Sequence, residues 1–132
     1  MKKFILFILT IVLCGCQKNV PTLHVFYTST CSECLLLQSD FLVQVDNSIE
    51  VQLHNMDKQE SIDLYKQVLD RLENVDVNLY DQPLTPMIYL EDGFAAIGYM
   101  DVMKDIYNQL IEETLQNRPY SIVPSGVWIE EE

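Results

Sequence analysis

Leu23-His24-Val25-Phe26-Tyr27-Thr28-Ser29-Thr30-Cys31-Ser32-Glu33-Cys34 joins an apolar strand, a short polar turn and the start of a helical pattern, with two cysteines at the junction. Leu23 to Tyr27 is a strand. From about Ser32 to Val45 the apolar residues Leu35, Leu36, Leu37, Phe41, Leu42 and Val45 recur at helical spacing. A Cys-x-x-Cys pair at such a junction puts two thiols one helical turn apart on one face, within reach of a disulfide. The first thiol stands at the helix N-terminus. There the positive end of the helix dipole and the unpaired N–H groups favour a thiolate at Cys31, the reacting form in thiol–disulfide exchange. Ser32 and Glu33 lie between the thiols and tune them. The negative charge of Glu33 opposes the thiolate and makes the pair more reducing. Thr30-Cys31-Ser32-Glu33 also has capping-box spacing, so Glu33 can serve the helix start, and both roles can hold together.

The compartment is addressed by the first sixteen residues. Lys2 and Lys3 precede an almost wholly apolar run from Phe4 to Leu13, the pattern of a secretory signal. The run is too short for a bilayer span, which needs roughly 20 apolar residues. Its end, Leu13-Cys14-Gly15-Cys16, resembles the lipobox of bacterial lipoproteins. That resemblance implies loss of residues 1–15 as a signal peptide and a diacylglyceryl group on Cys16. It also implies a place on the extracytoplasmic side of a membrane of the bacterial cell envelope, with residues 16–22 as a lipidated tether. The mature chain then keeps Cys31 and Cys34 alone, and outside the cytoplasm such a pair is either catalytic or a small structural disulfide.

Residues 16–132 suffice for one compact domain and not for two. The whole chain has 8 Lys+Arg against 20 Asp+Glu. Without Lys2 and Lys3 the balance is six against twenty, a net of −14. Such a surface argues against nucleic acid, which is held through Lys and Arg on phosphate, and against lying flat on anionic lipid.

Along the chain, Ile49 to Leu53 alternates as a second strand. Asp57 and Glu60 have capping-box spacing ahead of a helix with Leu64, Tyr65, Val68, Leu69 and Leu72 on its buried stripe. Thr85-Pro86 precedes a hairpin, Met87 to Leu90 and Phe94 to Ile97, turned at Asp92-Gly93. Asp101 is placed to cap a final helix bearing Val102, Met103, Ile106, Leu110 and Ile111. Residues 117–132 form a C-terminal tail in which Trp128 is read as packing onto the domain, with a substrate platform as the alternative.

The order strand, Cys-x-x-Cys, helix, strand, helix, Thr-Pro, hairpin, helix resembles the thioredoxin fold, close to the minimal glutaredoxin core, over about Leu23 to Leu115. The fold class implied is α/β: a central mixed four-stranded sheet flanked by about three helices, with the domain at 23–116. The resemblance implies that Cys31 is the nucleophile, that Cys34 resolves the mixed disulfide, and that Thr85-Pro86 is the cis-proline site where an extended substrate backbone docks. The sequence departs from thioredoxins in three places. Ser29-Thr30 stands where a tryptophan precedes the motif, Val25 where a buried acid lies six residues before the first cysteine, and Ser32-Glu33 where Gly-Pro separates the cysteines.

Together these features predict a membrane-anchored thiol–disulfide oxidoreductase. It would act on exported proteins with thiols or disulfides, in the reducing or isomerising direction, beside a membrane or envelope redox partner. Its redox-active group is the Cys31–Cys34 pair itself, and no separate cofactor is implied. A non-catalytic binding lipoprotein with Cys31–Cys34 as a structural clip is the alternative. Carriage of zinc or copper by the cysteines with His24 and His54 is a further one, although no histidine lies after position 54, the mature chain has no second cysteine pair and no metal site is assigned. His24 reads as a strand-end residue and His54 as a surface one.

Overall fold

The computed structural model describes residues 20–132. The expected signal peptide at 1–15, the lipobox-like ending and the expected lipid attachment at Cys16 lie outside the described residues.

The strand entering the motif, β1 (Thr22–Tyr27), is buried over all but its last residue. It has partners on both sides. It pairs in parallel with β2 (Glu50–Asn55) and antiparallel with β3 (Met87–Leu90). β4 (Phe94–Ile97) follows β3 through the predicted hairpin, and β5 (Val127–Ile129) adds to β4. The sheet order is β2-β1-β3-β4-β5. Five strands stand where the sequence predicts four, because part of the segment read as a tail pairs with the open edge of β4. Val127-Trp128-Ile129 is a β-branched and aromatic run, and such runs suit a half-buried edge. Trp128 lies opposite Ala95 and packs with the cluster on that face.

Alternation along the strands sends side chains to two layers. Leu23, Val25, Ile88, Leu90, Phe94 and Ala96 meet α1 (Ser32–Leu36) with its continuation, and α4 (Lys104–Leu115), at Leu37, Phe41, Tyr107 and Leu110. Phe26, Met87, Tyr89 and Ala95 meet α2 (Gln59–Asp70) and α3 (Asn78–Asp81) at Tyr65, Val68, Leu69 and Leu79. The result is a mixed sheet between two helical layers.

Several ends differ from expectation. The helix read from Ser32 to Val45 is α-helical only to Leu36, then makes a π turn over Leu37–Phe41 and a 3₁₀ turn over Leu42–Gln44. On β2, Val51 and Leu53 are the exposed members, while Gln52 and His54 face inward, because β2 is an edge strand. Neither expected Asp cap forms. α2 begins after Lys58 without a side-chain cap, and the Asp57 N–H is taken by Asn55 Oδ1 at 2.9 Å. Asp101 accepts from the neighbouring Val102 N–H at 3.0 Å, in a 3₁₀ turn that precedes α4.

α4 ends in a Schellman arrangement. Asn117 takes a φ of 52°, its N–H bonds Thr114 C=O, and Arg118 N–H reaches back to Glu113 C=O. Beyond it, buried Glu113 accepts from Ser121 Oγ and Gln109 Nε2, which binds the outgoing chain to the helix.

In the hairpin turn it is Asp92, φ 62°, that takes the left-handed conformation. Gly93 is needed for space: a Cβ there would stand 2.6 Å from Thr114 Cγ2 and 2.9 Å from its Oγ1. Thr114 cannot yield easily, since Oγ1 bonds Leu110 C=O and Tyr120 OH. Gly93→Ala should therefore destabilise the protein by about 1–3 kcal/mol in urea unfolding. Adding Thr114→Ser, which deletes the closer methyl, should restore part of the loss, and a neutral Gly93→Ala would refute the packing account.

Candidate functional site at the sheet end

β1 delivers the chain to the motif. Tyr27 C=O is the last ladder acceptor, taken by Met56 N–H at 2.8 Å, and a turn closes from Cys31 N–H to Thr28 C=O at 3.4 Å. Cys31 is then the N-cap of α1, with extended backbone (φ −89°, ψ 110°), and its sulfur accepts the Cys34 N–H at 3.1 Å. Cys31 and Cys34 are joined as a disulfide with Cα atoms 5.2 Å apart. Cys34 is 1% exposed, whereas Cys31 is partly open to solvent.

The capping box expected of Thr30 and Glu33 does not form. The cap falls on Cys31, so the donor at the third helical position is that of Cys34, and the Cys31 sulfur takes it. Glu33 stays exposed in the first turn, and its charge helps to hold the Tyr107 phenol protonated, after burial of that phenol as the main cause, at about 12.

Thr85 and Pro86 reach the same end of the sheet through β3. Met87 lies opposite Phe26, so one further step of the antiparallel register sets Pro86 level with Tyr27. The Thr85–Pro86 peptide is cis. Pro86 C=O accepts Gly98 N–H at 2.9 Å, just past the end of β4. The approach is fixed from the other layer by Tyr65. Its hydroxyl donates to Leu84 C=O at 3.0 Å and accepts from Leu84 N–H at 3.2 Å, and burial pushes its pKa to about 12. In the sequence Tyr65 is only one apolar position of a helix stripe. A buried phenol needs a partner, but which backbone it meets depends on how α2 lies on the sheet.

The histidines also differ from their reading. His24 is 7% exposed in mid-strand, and His54 is half-buried on the neighbouring strand. His24 Nε2 donates to Glu91 Oε1 at 2.6 Å, which leaves Nδ1 to accept from His54 Nε2 at 2.8 Å. Three of the four imidazole nitrogens are thus engaged within the His54–His24–Glu91 chain and none with the thiols. Among the described residues no group of three or more His, Cys, Asp or Glu could hold a metal ion. A cleft of about 320 Å³ opens beside His54, lined also by Tyr27, Asn55, Lys58 and Ser61, and neither cysteine borders it.

Fold and site together define an α/β protein carrying a Cys-x-x-Cys disulfide at a helix start. No family model, no curated protein and no solved structure matches the chain.

Burial, and then the neighbouring His24, lower the pKa of His54 below its ordinary 6.5. A base with a depressed pKa takes its proton more readily when unfolded, so its stabilising effect is whole above pH 6.5 and drains away as pH falls below it. Urea midpoints should fall between about pH 7 and 5. His54→Gln, which keeps an N–H donor for His24, should flatten that window. The lowered carboxyls of Asp40 and Asp46, ordinarily 3.8, and of Glu113, ordinarily 4.5, should still cause a separate loss at lower pH. An unchanged slope in the variant would refute the assignment to His54.

Proposed function

We propose that this protein is a thioredoxin-like thiol–disulfide oxidoreductase, and the asymmetry of its two sulfurs carries the reading. The Cys31 sulfur caps a helix and accepts a backbone N–H, and Cys31 is partly exposed, while Cys34 is buried. In the reducing direction the Cys31 thiolate attacks one sulfur of a substrate disulfide and expels the other as a thiolate. Cys34, giving up its proton, then attacks Cys31 and expels the second substrate thiolate. Two electrons pass to the substrate, two protons end on its thiols, and the Cys31–Cys34 disulfide remains. An external dithiol must reduce it for the next cycle. The arrival of Thr85-Pro86 at the same sheet end supports docking of an extended substrate beside the sulfurs.

Placement follows from the sequence. With Cys16 lipidated, the 16–22 tether leads into the start of β1, and the motif lies past the far end of that strand, about 20 Å on at ~3.3 Å per residue. The thiols then face away from the bilayer, toward exported proteins. No helix among the described residues is long and apolar enough to cross a membrane, so the lipid is the proposed anchor.

Reduction of insulin by the protein with dithiothreitol is the direct test, and an inert protein would leave the pair a structural clip. On the reduced protein near neutral pH, iodoacetamide should modify Cys31 much faster than Cys34. Cys34→Ser should trap mixed disulfides that Cys31→Ser does not. Equal labelling would sink the role assignment. With Glu33 beside the sulfurs and no basic residue in the motif, a reduction potential of roughly −200 to −270 mV is expected, raised by Glu33→His. A value above about −150 mV would favour an oxidase instead.

A further inference from the structure

Asp40 lies in the π turn that continues the motif helix, and π turns recur at functional sites. Both of its carboxylate oxygens are engaged by the chain that follows β4. Tyr99 OH donates to Oδ2 at 2.6 Å, and Lys104 Nζ donates to Oδ1 at 3.1 Å. Tyr99 is fully buried, against Phe41 and Tyr107 with ring centres 5.9 and 6.0 Å away. Its chain neighbour Gly98 is held on both sides. The Gly98 N–H bonds Pro86 C=O, and Gly98 C=O accepts from Tyr107 OH at 2.5 Å. A continuous line of bonds therefore runs from the helix that carries the sulfurs, through Asp40, Tyr99 and Gly98, to Pro86.

We infer that Asp40 is a positioning residue, which through Tyr99 sets the Cys31–Cys34 helix at a fixed offset from the Thr85–Pro86 backbone. The inference rests on the exchange reading above and adds how its two halves are kept in register. A substrate held as an extended backbone at Thr85–Pro86 presents its disulfide at one place only, and Cys31 must stand there. A shift of about 1 Å in such a relation can cost up to a hundredfold in rate. A small disulfide with no peptide backbone makes no use of the offset. The two substrate types should therefore separate when the link is cut.

The experiment compares wild type, Asp40→Asn, Tyr99→Phe and Lys104→Ala in the reduced state, against insulin and against the small disulfide 5,5′-dithiobis(2-nitrobenzoate). Asp40→Asn and Tyr99→Phe should lower kcat/KM for insulin roughly tenfold or more, while the small disulfide reacts within about twofold of wild type. Lys104→Ala, which leaves the Tyr99 bond, should show a smaller loss of the same kind. The reduction potential and the iodoacetamide rate at Cys31 should not move. Equal losses on both substrates, a shifted potential, or no loss at all would overturn the positioning role while the exchange reading stood. A wild type inert toward both disulfides would overturn the exchange reading, and this role with it.

Discussion

The sheet end depends on β1 having a strand on each side. With parallel β2 and antiparallel β3 as neighbours, every β1 residue but the last is buried, and the strand cannot slip without turning Leu23 and Val25 out of one layer and His24 and Phe26 into it. Register then determines what meets at its end. Because β3 runs back against β1, its first residues, and Pro86 before them, arrive where β1 stops and the motif begins. Because β4 runs back against β3, Gly98 arrives there too, and bonds Pro86. A loop, a proline and a strand exit far apart in the chain share one edge for the same geometric reason.

Electrostatics at that edge is local. The domain is strongly acidic, yet the Cys31 sulfur faces a backbone donor and the start of a helix, both of which favour negative charge on it. Glu33 acts against this from the same turn. The phenols nearby remain protonated and serve as donors, Tyr99 to a carboxylate and Tyr107 to a backbone carbonyl. Burial is the first cause of the raised pKa of each. Hydrogen bonding rather than charge pairing thus ties the helix of the sulfurs to its surroundings, with Lys104 the one cation joined to Asp40.

Elements with a strong local signal were legible. The strand before the motif, the hairpin about Asp92-Gly93 and the helices of the Tyr65 and Leu110 stripes all lie close to where periodicity and turn residues set them. The place of Cys31 at a helix start was legible too, because it depends on a strand-to-helix junction and on nothing distant, although the cap itself falls on the Cys31 sulfur and not on the expected Thr30–Glu33 box. Less legible were features that need a partner from elsewhere. Val127–Ile129 is a strand only because β4 offers an open edge. Asp57 and Asp101 look like caps by spacing, but α2 begins only after Lys58, with the Asp57 N–H bonded to Asn55, and the Asp101 carboxylate takes its immediate neighbour's N–H in a 3₁₀ turn ahead of α4.

What the sequence by itself determined is the Cys31–Cys34 pair at a helix start and the alternation that sorts side chains into two layers, since both depend on spacings of a few residues. Tertiary structure alone decided that His24 meets His54 and Glu91 rather than the thiols, that Tyr65 grips Leu84, and that Asp40 meets Tyr99 across 59 residues of chain. Those contacts follow from strand order and from the way helices lie on the sheet. A side chain's choice among distant partners is made only when packing brings one within about 3 Å.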